Sequence, residues 1–237
     1  DYYEPSVSAA CAVVIEPTSG RVLFAKNADK RASMASTTKI MTALLLCENC
    51  DLQSTATVTA EMVAVEGTSM GLQAGDTVHY RDLLYGMMLA SGNDAANAAA
   101  ILIAGSLKDF ARLMNARAKQ LGMSSTNFVT PSGLDDENHY TTAADMAKLA
   151  AAAMCNSAFA EAAGSTSAQL EYGSPPYKRT LTNQNKLLRL YDGCNGVKTG
   201  FTKKSGRCLV SSAERGGKRP APDGGVDKAV PLQFFPG

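Results

Sequence analysis

What the sequence has little of already excludes several functions. Lysine and arginine number 23 against 22 aspartates and glutamates, so the formal net charge is only +1. Proteins that bind nucleic acid or an anionic membrane surface electrostatically need a clear excess of positive charge. We therefore expect no nucleic-acid partner. No apolar run approaches the roughly 20 residues that a membrane-spanning helix requires, so we predict no transmembrane segment in this chain.

Metal ligands and disulfide frameworks are also poorly represented. The two histidines, His79 and His139, lie far apart without metal-type spacing. Six cysteines are spread thinly through 237 residues, which does not fit a disulfide-stapled domain. Cys47 and Cys50 form a C-x-x-C pair, which suits a redox pair, half of a zinc site, or two thiols near a helix end. We favour the last interpretation because the other zinc ligands are missing.

The composition is that of an ordinary globular protein, with 45% hydrophobic and 19% charged residues. Alternating and β-branched patterns predict a hairpin near each end, one from residues 8–15 and 21–25 and the other from 195–202 and 207–212. Apolar residues at three- and four-residue steps predict helices between them, at 36–50, 83–88, 94–104, 107–121 and 142–154. Thr142 and Asp145 give the last helix a start typical of a capping box.

Strands at both ends and helices between them indicate an α+β fold. We expect an antiparallel sheet formed from both chain ends, with flanking helices and a mostly helical insertion. The helix that follows Ser36 is apolar over most of its surface, so it is predicted to be buried on most sides.

The first motif of chemical interest is Ser36 with Lys39, an S-x-x-K at a predicted helix start. Residues three apart lie on one helix face, so the amine can reach the hydroxyl. A lysine whose pKa is lowered by burial or by another cation can activate a serine nucleophile. A helix N-terminus also favours the negative charge of a developing oxyanion. Alone, the motif equally fits a capped surface helix.

Two further motifs follow. Ser91 and Asn93, in an S-G-N between two helices, offer a hydroxyl for proton relay and an amide for a substrate carbonyl. Lys198 and Thr199 can bind a carboxylate, and Gly200 allows close approach of the backbone. Separately, these motifs fit a plain turn and an exposed strand end. Together and in this order, the three motifs are typical of penicillin-binding proteins and β-lactamases.

Longer segments extend the similarity from about residue 8 to residue 218. They are residues 34–43, 84–96, 128–135, 139–143, 185–188 and 196–202. The chain resembles the D-alanyl-D-alanine carboxypeptidases, low-molecular-weight penicillin-binding proteins of the β-lactamase/DD-peptidase superfamily. Gly92, in S-G-N, favours this branch over class A β-lactamases. The deacylating E-x-x-L-N motif of those enzymes has no match here.

The resemblance implies a role for each matched residue. Ser36 would attack the carbonyl of the penultimate D-alanine, and Lys39 would take its proton. Ser91 would relay a proton to the leaving amine. Asn93 would hold the substrate and Lys39 in place.

The strand motif would bind the substrate. Lys198 and Thr199 would hold the terminal carboxylate beside Gly200. The backbone N–H groups of Ser36 and Phe201 would form the oxyanion hole. No metal or organic cofactor is implied.

The implied substrates are peptidoglycan stem peptides that end in D-Ala-D-Ala, and β-lactams are the implied covalent inhibitors. The implied location is extracytoplasmic, in the periplasm or at the outer face of the cytoplasmic membrane, with the leader and any anchor absent from this chain. Three alternatives are kept: endopeptidase cleavage of cross-links, a catalytically impaired penicillin-binding fragment or pseudoenzyme, and a β-lactamase.

The end of the chain departs from the family pattern. We expect a single transpeptidase-like DD-peptidase domain over residues 1–237, with a helical lobe at about 56–165 and a sheet lobe from 1–55 plus 166–218. After residue 218 the family continues with an apolar core strand, whereas prolines and glycines follow here. We therefore expect that strand to be absent or altered and residues 219–237 to form an atypical tail. Its only strand-like part is interrupted by Pro231.

Overall fold

The computed structural model describes residues 6–215 and, for the backbone alone, residues 227–235. Its strands are β1 Cys11–Ile15, β2 Val22–Lys26, β3 Thr55–Thr57, β4 Thr77–His79, β5 Ser167–Gly173, β6 Pro176–Thr182, β7 Cys194–Thr202, β8 Gly206–Arg215 and β9 Asp227–Phe235. Its α-helices are α1 Lys39–Asn49, α2 Ala60–Val63, α3 Tyr80–Met88, α4 Asn93–Ala104, α5 Leu107–Gln120, α6 Ala143–Met154, α7 Ser157–Gly164 and α8 Leu187–Leu190. A short 3₁₀ helix at Ala35–Thr38 precedes α1.

The main sheet is antiparallel and has the strand order β2-β1-β9-β8-β7 within the described residues. Strands from both ends of the chain form this sheet, and α6 packs against β1, β8 and β9. The predicted α+β class is therefore confirmed. Both predicted terminal hairpins are present. In the described part of the chain, no helix has the length and apolar character needed to cross a membrane.

The position of the last core strand corrects one expectation. Strand β9 lies between β1 and β8 and pairs antiparallel with both, so the prediction that this strand could be missing is wrong. Its sequence is nevertheless altered, because it contains Pro231. Pairing with β8 stops after Val210–Leu232 and resumes in the same register at Ala213–Ala229. Proline has no N–H to donate to a sheet ladder, so an interruption at Pro231 is expected.

A second antiparallel sheet, of order β3-β4-β5-β6, was not predicted. Its main part is the β5–β6 hairpin, in which Ser167 pairs with Thr182 and Gly173 with Pro176. Strand β6 is largely exposed, so it has little of the apolar alternation from which strands are recognised. This sheet matters for function because it supports a loop beside the site.

Helix α1 is the centre of the core. Its residues from Lys39 to Leu46 are all buried, as the sequence predicted, and it packs against α3, α4 and α6. Burial of each large aliphatic side chain contributes roughly 1.5–3 kcal/mol. The alanine-rich α4 and α6 present small side chains, which let these helices approach α1 closely. A buried central helix therefore carries the predicted Ser-Lys motif at its first turn.

Candidate active site

The predicted nucleophile and base are in direct contact. Ser36 lies in the 3₁₀ turn, and Lys39 is the first residue of α1. The Lys39 Nζ donates to Ser36 Oγ at 2.9 Å, to Asn93 Oδ1 at 2.7 Å and to the Ser132 carbonyl at 2.8 Å. These three acceptors match the three donors of an ammonium group. The amine is therefore held on the serine by partners from two distant parts of the chain.

Burial governs the charge of this amine. Lys39 has no exposed surface, and burial, together with the nearby positive charge of Lys198, lowers the pKa of Lys39 well below its usual value; Asp94 opposes this shift. Loss of hydration disfavours the charged form of a lysine, and a neighbouring cation adds to that effect. The neutral form of Lys39, which is the form that can accept a proton, is therefore favoured relative to that of an ordinary lysine.

A second buried lysine meets the second motif. The Lys198 Nζ donates to Ser91 Oγ at 3.1 Å and to the Thr199 carbonyl at 3.0 Å. Burial lowers the pKa of Lys198 to about 7. The structure thus brings Ser91 and the strand motif together, although they are 107 residues apart in sequence.

Asn93 is oriented by the segment that precedes α3. Its Nδ2 donates to the Glu66 carbonyl at 2.7 Å, and its backbone N–H donates to the Thr68 carbonyl at 2.7 Å. These bonds leave Oδ1 facing Lys39. Gly67 has a φ of +91°, and an added Cβ there would lie 2.6 Å from the Asn93 Nδ2. A glycine is therefore required beside this amide.

Sequence reasoning missed Asp94. Its buried carboxylate accepts hydrogen bonds from the Ser69 hydroxyl at 2.6 Å and from backbone N–H groups that include those of Met70 at 3.0 Å, Gly71 at 3.1 Å and Leu72 at 3.0 Å. The sequence shows only an acid in the first turn of a helix, a common position. These four partners lie more than twenty residues away and follow no motif.

The second sheet holds the same segment from its other side. The Tyr172 hydroxyl donates to the Met70 carbonyl at 2.6 Å, and Arg179 donates to the Gly71 carbonyl at 2.8 Å. The Arg179 guanidinium also lies 4.1 Å from the centre of the Tyr172 ring. The unpredicted β5–β6 hairpin therefore helps to fix the segment against which Asn93 is oriented.

Ser132 and His139 were also missed as parts of the site. Val129 N donates to His139 Nδ1 at 2.9 Å, so Nε2 carries the proton and donates to Thr38 Oγ1 at 2.8 Å. Burial lowers the pKa of His139 to about 4, which keeps this ring neutral. The bonds position the loop whose Ser132 carbonyl accepts from Lys39. His139 thus has a positioning role and no metal-ligand geometry.

Strand β7 passes very close to the nucleophile turn. A Cβ added at Gly200 would lie 2.9 Å from the Ser36 nitrogen and 3.1 Å from the Thr37 nitrogen. Any larger residue would push the strand away from Ser36, so a glycine is needed where β7 passes this turn. The predicted close approach of a substrate at Gly200 stays a prediction. The next residue, Phe201, is 65% exposed.

Beside these strand residues lies a cavity of about 490 Å³. Its lining includes Lys186, Leu187, Thr199, Phe201, Arg207 and Leu209. The cavity is therefore continuous with the predicted substrate-binding strand.

The cysteines supply none of the hydrogen bonds described above, although Cys208 lines the cavity. All six are free thiols, and burial is the main cause that raises the pKa of Cys47 to about 12, which keeps it from being a reactive thiolate. Among the residues that the structure describes, no group of three or more histidine, cysteine, aspartate or glutamate side chains could hold a metal ion.

The fold, together with the S-x-x-K, S-G-N and K-T-G motifs around one point, defines the class of DD-peptidases and penicillin-binding proteins. The profile of peptidase family S11, described as D-alanyl-D-alanine carboxypeptidase, matches residues 2–221. The chain belongs to this family.

Individual relatives agree with this assignment. The chain is 37% identical over 216 residues to D-alanyl-D-alanine carboxypeptidase DacF of Bacillus subtilis, covering 89% of this chain and 55% of that protein. It is 36% identical to DacB2 of Mycobacterium tuberculosis, covering 91% of this chain and 74% of that protein. A crystal structure of a D-alanyl-D-alanine carboxypeptidase from M. tuberculosis H37Rv superposes with a TM-score of 0.90 at 32% identity, covering 99% and 85% of the two chains. The chain thus spans little more than half of the B. subtilis relative.

Proposed function

We propose that the chain is a serine-type D-Ala-D-Ala carboxypeptidase that removes the terminal D-alanine from peptidoglycan stem peptides through an acyl-enzyme on Ser36. One observation carries the proposal: the Ser36 hydroxyl lies 2.9 Å from the amine of a fully buried lysine. A serine needs such a base to become a useful nucleophile. The family of the chain and the names of its relatives support the choice of substrate.

Acylation begins when neutral Lys39 accepts the Ser36 proton and Oγ attacks the carbonyl carbon of the penultimate D-alanine. The backbone N–H groups of Ser36 and Phe201 stabilise the negative charge on the carbonyl oxygen. The carbon–nitrogen bond then breaks: Ser91 gives its proton to the departing D-alanine amine and takes up the proton held by Lys39, which becomes neutral again. Lys198, which donates to Ser91 Oγ, keeps this hydroxyl oriented for the transfer.

Substrate binding uses the strand side of the site. The carboxylate of the terminal D-alanine pairs with protonated Lys198 and bonds to the Thr199 hydroxyl. Because Lys198 is buried, this ion pair is weakly screened by solvent. In deacylation, Lys39 takes a proton from water as its oxygen attacks the ester carbon. The bond between this carbon and Ser36 Oγ then breaks, Lys39 returns the proton to Oγ, and the shortened peptide leaves.

β-Lactams are proposed to acylate Ser36 and to remain bound. Glu161, one of the two acids nearest in sequence to where a deacylating glutamate would be sought, instead accepts from the Tyr85 hydroxyl at 2.8 Å, and its side chain is 69% exposed. It therefore has the surroundings of a surface acid. The proposed location remains extracytoplasmic, where peptidoglycan and its stem peptides lie.

The test compares the purified chain with Ser36→Ala, using a fluorescent penicillin and a D-Ala-D-Ala peptide. We expect a labelled band and D-alanine release from the wild type, and neither from the variant. Labelling without D-alanine release would favour the impaired penicillin-binding alternative. Rapid steady hydrolysis of the penicillin would favour a β-lactamase. If the wild type gives neither a labelled band nor D-alanine release, the proposed function is refuted.

A further inference from the structure

Strand β6 is largely exposed, but Arg179 at its centre is half-buried against two tyrosine rings. The Arg179 guanidinium lies 4.1 Å from the centre of the Tyr172 ring and 4.0 Å from that of Tyr177. Its Nε is buried and has no hydrogen-bond partner within the described part of the chain. Cation–π contacts stabilise a cation that is partly removed from water. The two rings therefore fix the guanidinium beside the segment that precedes α3.

This segment has a cation on one side and a carboxylate on the other. Arg179 Nη1 donates to the Met70 carbonyl at 3.2 Å and to the Gly71 carbonyl at 2.8 Å. Asp94 accepts from the N–H of Gly71 at 3.1 Å and from that of Leu72 at 3.0 Å. The Met70 carbonyl and the Gly71 N–H belong to one planar peptide group, and the Gly71 carbonyl and the Leu72 N–H belong to the next. Two consecutive peptide groups thus lie between the guanidinium and the carboxylate.

The two charges are paired through these peptide groups. Each group has a dipole of about 3.5 D, with its positive end at the N–H. Both dipoles direct the N–H at the carboxylate and the C=O at the guanidinium, so they favour both charges. Among the described residues, Arg179 and Asp94 form no direct ion pair. A buried charge is costly without compensation, and Arg179 supplies it for Asp94 from the far side of the segment.

We infer that Arg179 is a positioning residue for the reaction: its charge, acting through peptide groups 70–71 and 71–72, holds Asp94 in place. Asp94 follows Asn93 in the first turn of α4, so the carboxylate in turn keeps the Asn93 amide directed at Lys39. The inference rests on the proposed function, because it concerns the same site. It assigns a role to a residue of the second sheet that lies outside all three motifs.

The first test separates charge from hydrogen bonding at Arg179. Arg179→Met removes both, and we expect acylation by a fluorescent penicillin to slow about tenfold, less than the roughly 10²-fold that a 1 Å misplacement can cause. Arg179→Lys keeps the charge and should return to within about threefold of the wild type. Arg179→Gln keeps a donor without charge and should stay slow. In D-alanine release, kcat should fall while KM stays within about twofold, because the effect is on positioning and not on binding.

The second test combines Arg179→Met with Asp94→Asn. If both residues act through the same peptide groups, the double variant should acylate no more slowly than the slower single variant. Independent effects would multiply to about a hundredfold. The matched control is Arg215→Met. Arg215 also lies over a tyrosine ring, that of Tyr191 at 4.6 Å, and donates to the Asp192 carbonyl at 3.1 Å, but these partners belong neither to the motifs nor to residues 66–73. Its loss should leave the acylation rate unchanged.

Three results overturn the inference: wild-type acylation by Arg179→Met, multiplied effects in the double variant, or recovery by Arg179→Gln as full as that by Arg179→Lys. Urea unfolding checks that each variant is folded, and the Lys and Gln variants supply the comparison if Arg179→Met is not.

Failure of the proposed function gives a different pattern. If penicillin labels the wild type but no D-alanine is released, the acylation rates of the variants still test Arg179. If neither reaction occurs, the urea midpoints of the single and double variants test the pairing. A shift in the double variant smaller than the sum of the two single shifts supports it, and additive shifts refute it.

Discussion

The two walls of the site are built in opposite ways. The clamped wall, residues 66–73 with Ser91, Asn93 and Asp94, is held by hydrogen bonds from both sides, and the Asp94 side chain is buried. The open wall, Thr199 to Phe201 of β7, borders a cavity, and Phe201 is 65% exposed. Under the proposed function, the groups that align the proton path lie on the rigid side, and the side that borders the cavity has space for the rest of the substrate.

The largest effect is expected at Lys39, which donates a hydrogen bond to Asn93 of the clamped wall. Lys39→Met keeps an unbranched side chain of similar length in the core but removes the base. General-base catalysis contributes about 10²–10⁴-fold, so we expect acylation by a fluorescent penicillin to slow by about a thousandfold. The acylation rate is measured by quenching the labelling reaction at successive times, and thermal unfolding checks that the variant folds. A rate within tenfold of the wild type would contradict the role of Lys39.

The next prediction concerns pH and Lys198, the residue of β7 that immediately precedes the open wall. Because the pKa of Lys198 is lowered to about 7, this lysine loses its charge as pH rises above 7, and binding of a carboxylate substrate weakens with it. We expect kcat/KM to fall about tenfold for each pH unit on this alkaline limb. Lys198→Arg keeps its charge to high pH and should remove the limb, while its larger side chain should lower the absolute rate.

The lowered pKa of Lys198 also determines whether the free energy of unfolding rises or falls with pH. The folded chain releases the Lys198 proton near pH 7, whereas the unfolded chain holds it to about 10.4. The unfolded state therefore binds more protons between these values, so this group makes the free energy of unfolding rise with pH across that window.

The activity measurement can contradict the role of Lys198. If the alkaline limb of kcat/KM persists unchanged in Lys198→Arg, another group controls it.

A third prediction tests the clamped wall through Asp94. Asp94→Asn replaces one acceptor oxygen by an NH₂ group that faces backbone N–H donors, and hydrogen bonds to charged groups contribute about 1.5–3 kcal/mol each. We expect a loss of about 2–4 kcal/mol in the free energy of unfolding, given that such terms are not additive. Acylation should slow about tenfold as Asn93 loses its fixed orientation.

The matched control is Asp109→Asn, an acid in the first turn of α5 that is exposed and bonded to Ser106. It should leave the denaturation midpoint almost unchanged. Urea unfolding and penicillin labelling together separate the two roles of Asp94. Loss of stability with an unchanged acylation rate would show that Asp94 supports the fold without positioning Asn93.

The parts of the molecule that sequence could predict depend on short spacing. Ser36 and Lys39 are three residues apart, and the terminal hairpins show local alternation, so both were recognised. Their structural positions agree with the prediction, while the catalytic roles remain proposals. The contacts that hold the site, from Asp94 and from the Ser132 carbonyl, join segments 22 to 93 residues apart, and no local pattern marks them.

Strand β9 shows the opposite error, in which a local signal was given too much weight. Pro231 argued against a core strand, because it removes a hydrogen-bond donor. A strand between two neighbours has ladders on both sides, and β9 keeps pairs with β1 along its length from Val230 to Phe234. One missing donor costs about 1–3 kcal/mol, which the remaining ladder and the closure of the sheet can offset.

The smallest effect is expected for a substitution in the open wall, and it tests the contrast between the two walls. Phe201→Ala removes an exposed ring from the open wall but leaves the backbone N–H of the proposed oxyanion hole in place. Substitutions of exposed side chains usually change stability by less than about 0.5 kcal/mol, so the urea midpoint should hardly move. KM for a D-Ala-D-Ala peptide should rise by about two- to fivefold, as expected for partial loss of an apolar contact. If Phe201→Ala instead destabilised the chain as much as Asp94→Asn, the open wall would be a structural element like the clamped one, and the proposed division between them would fail.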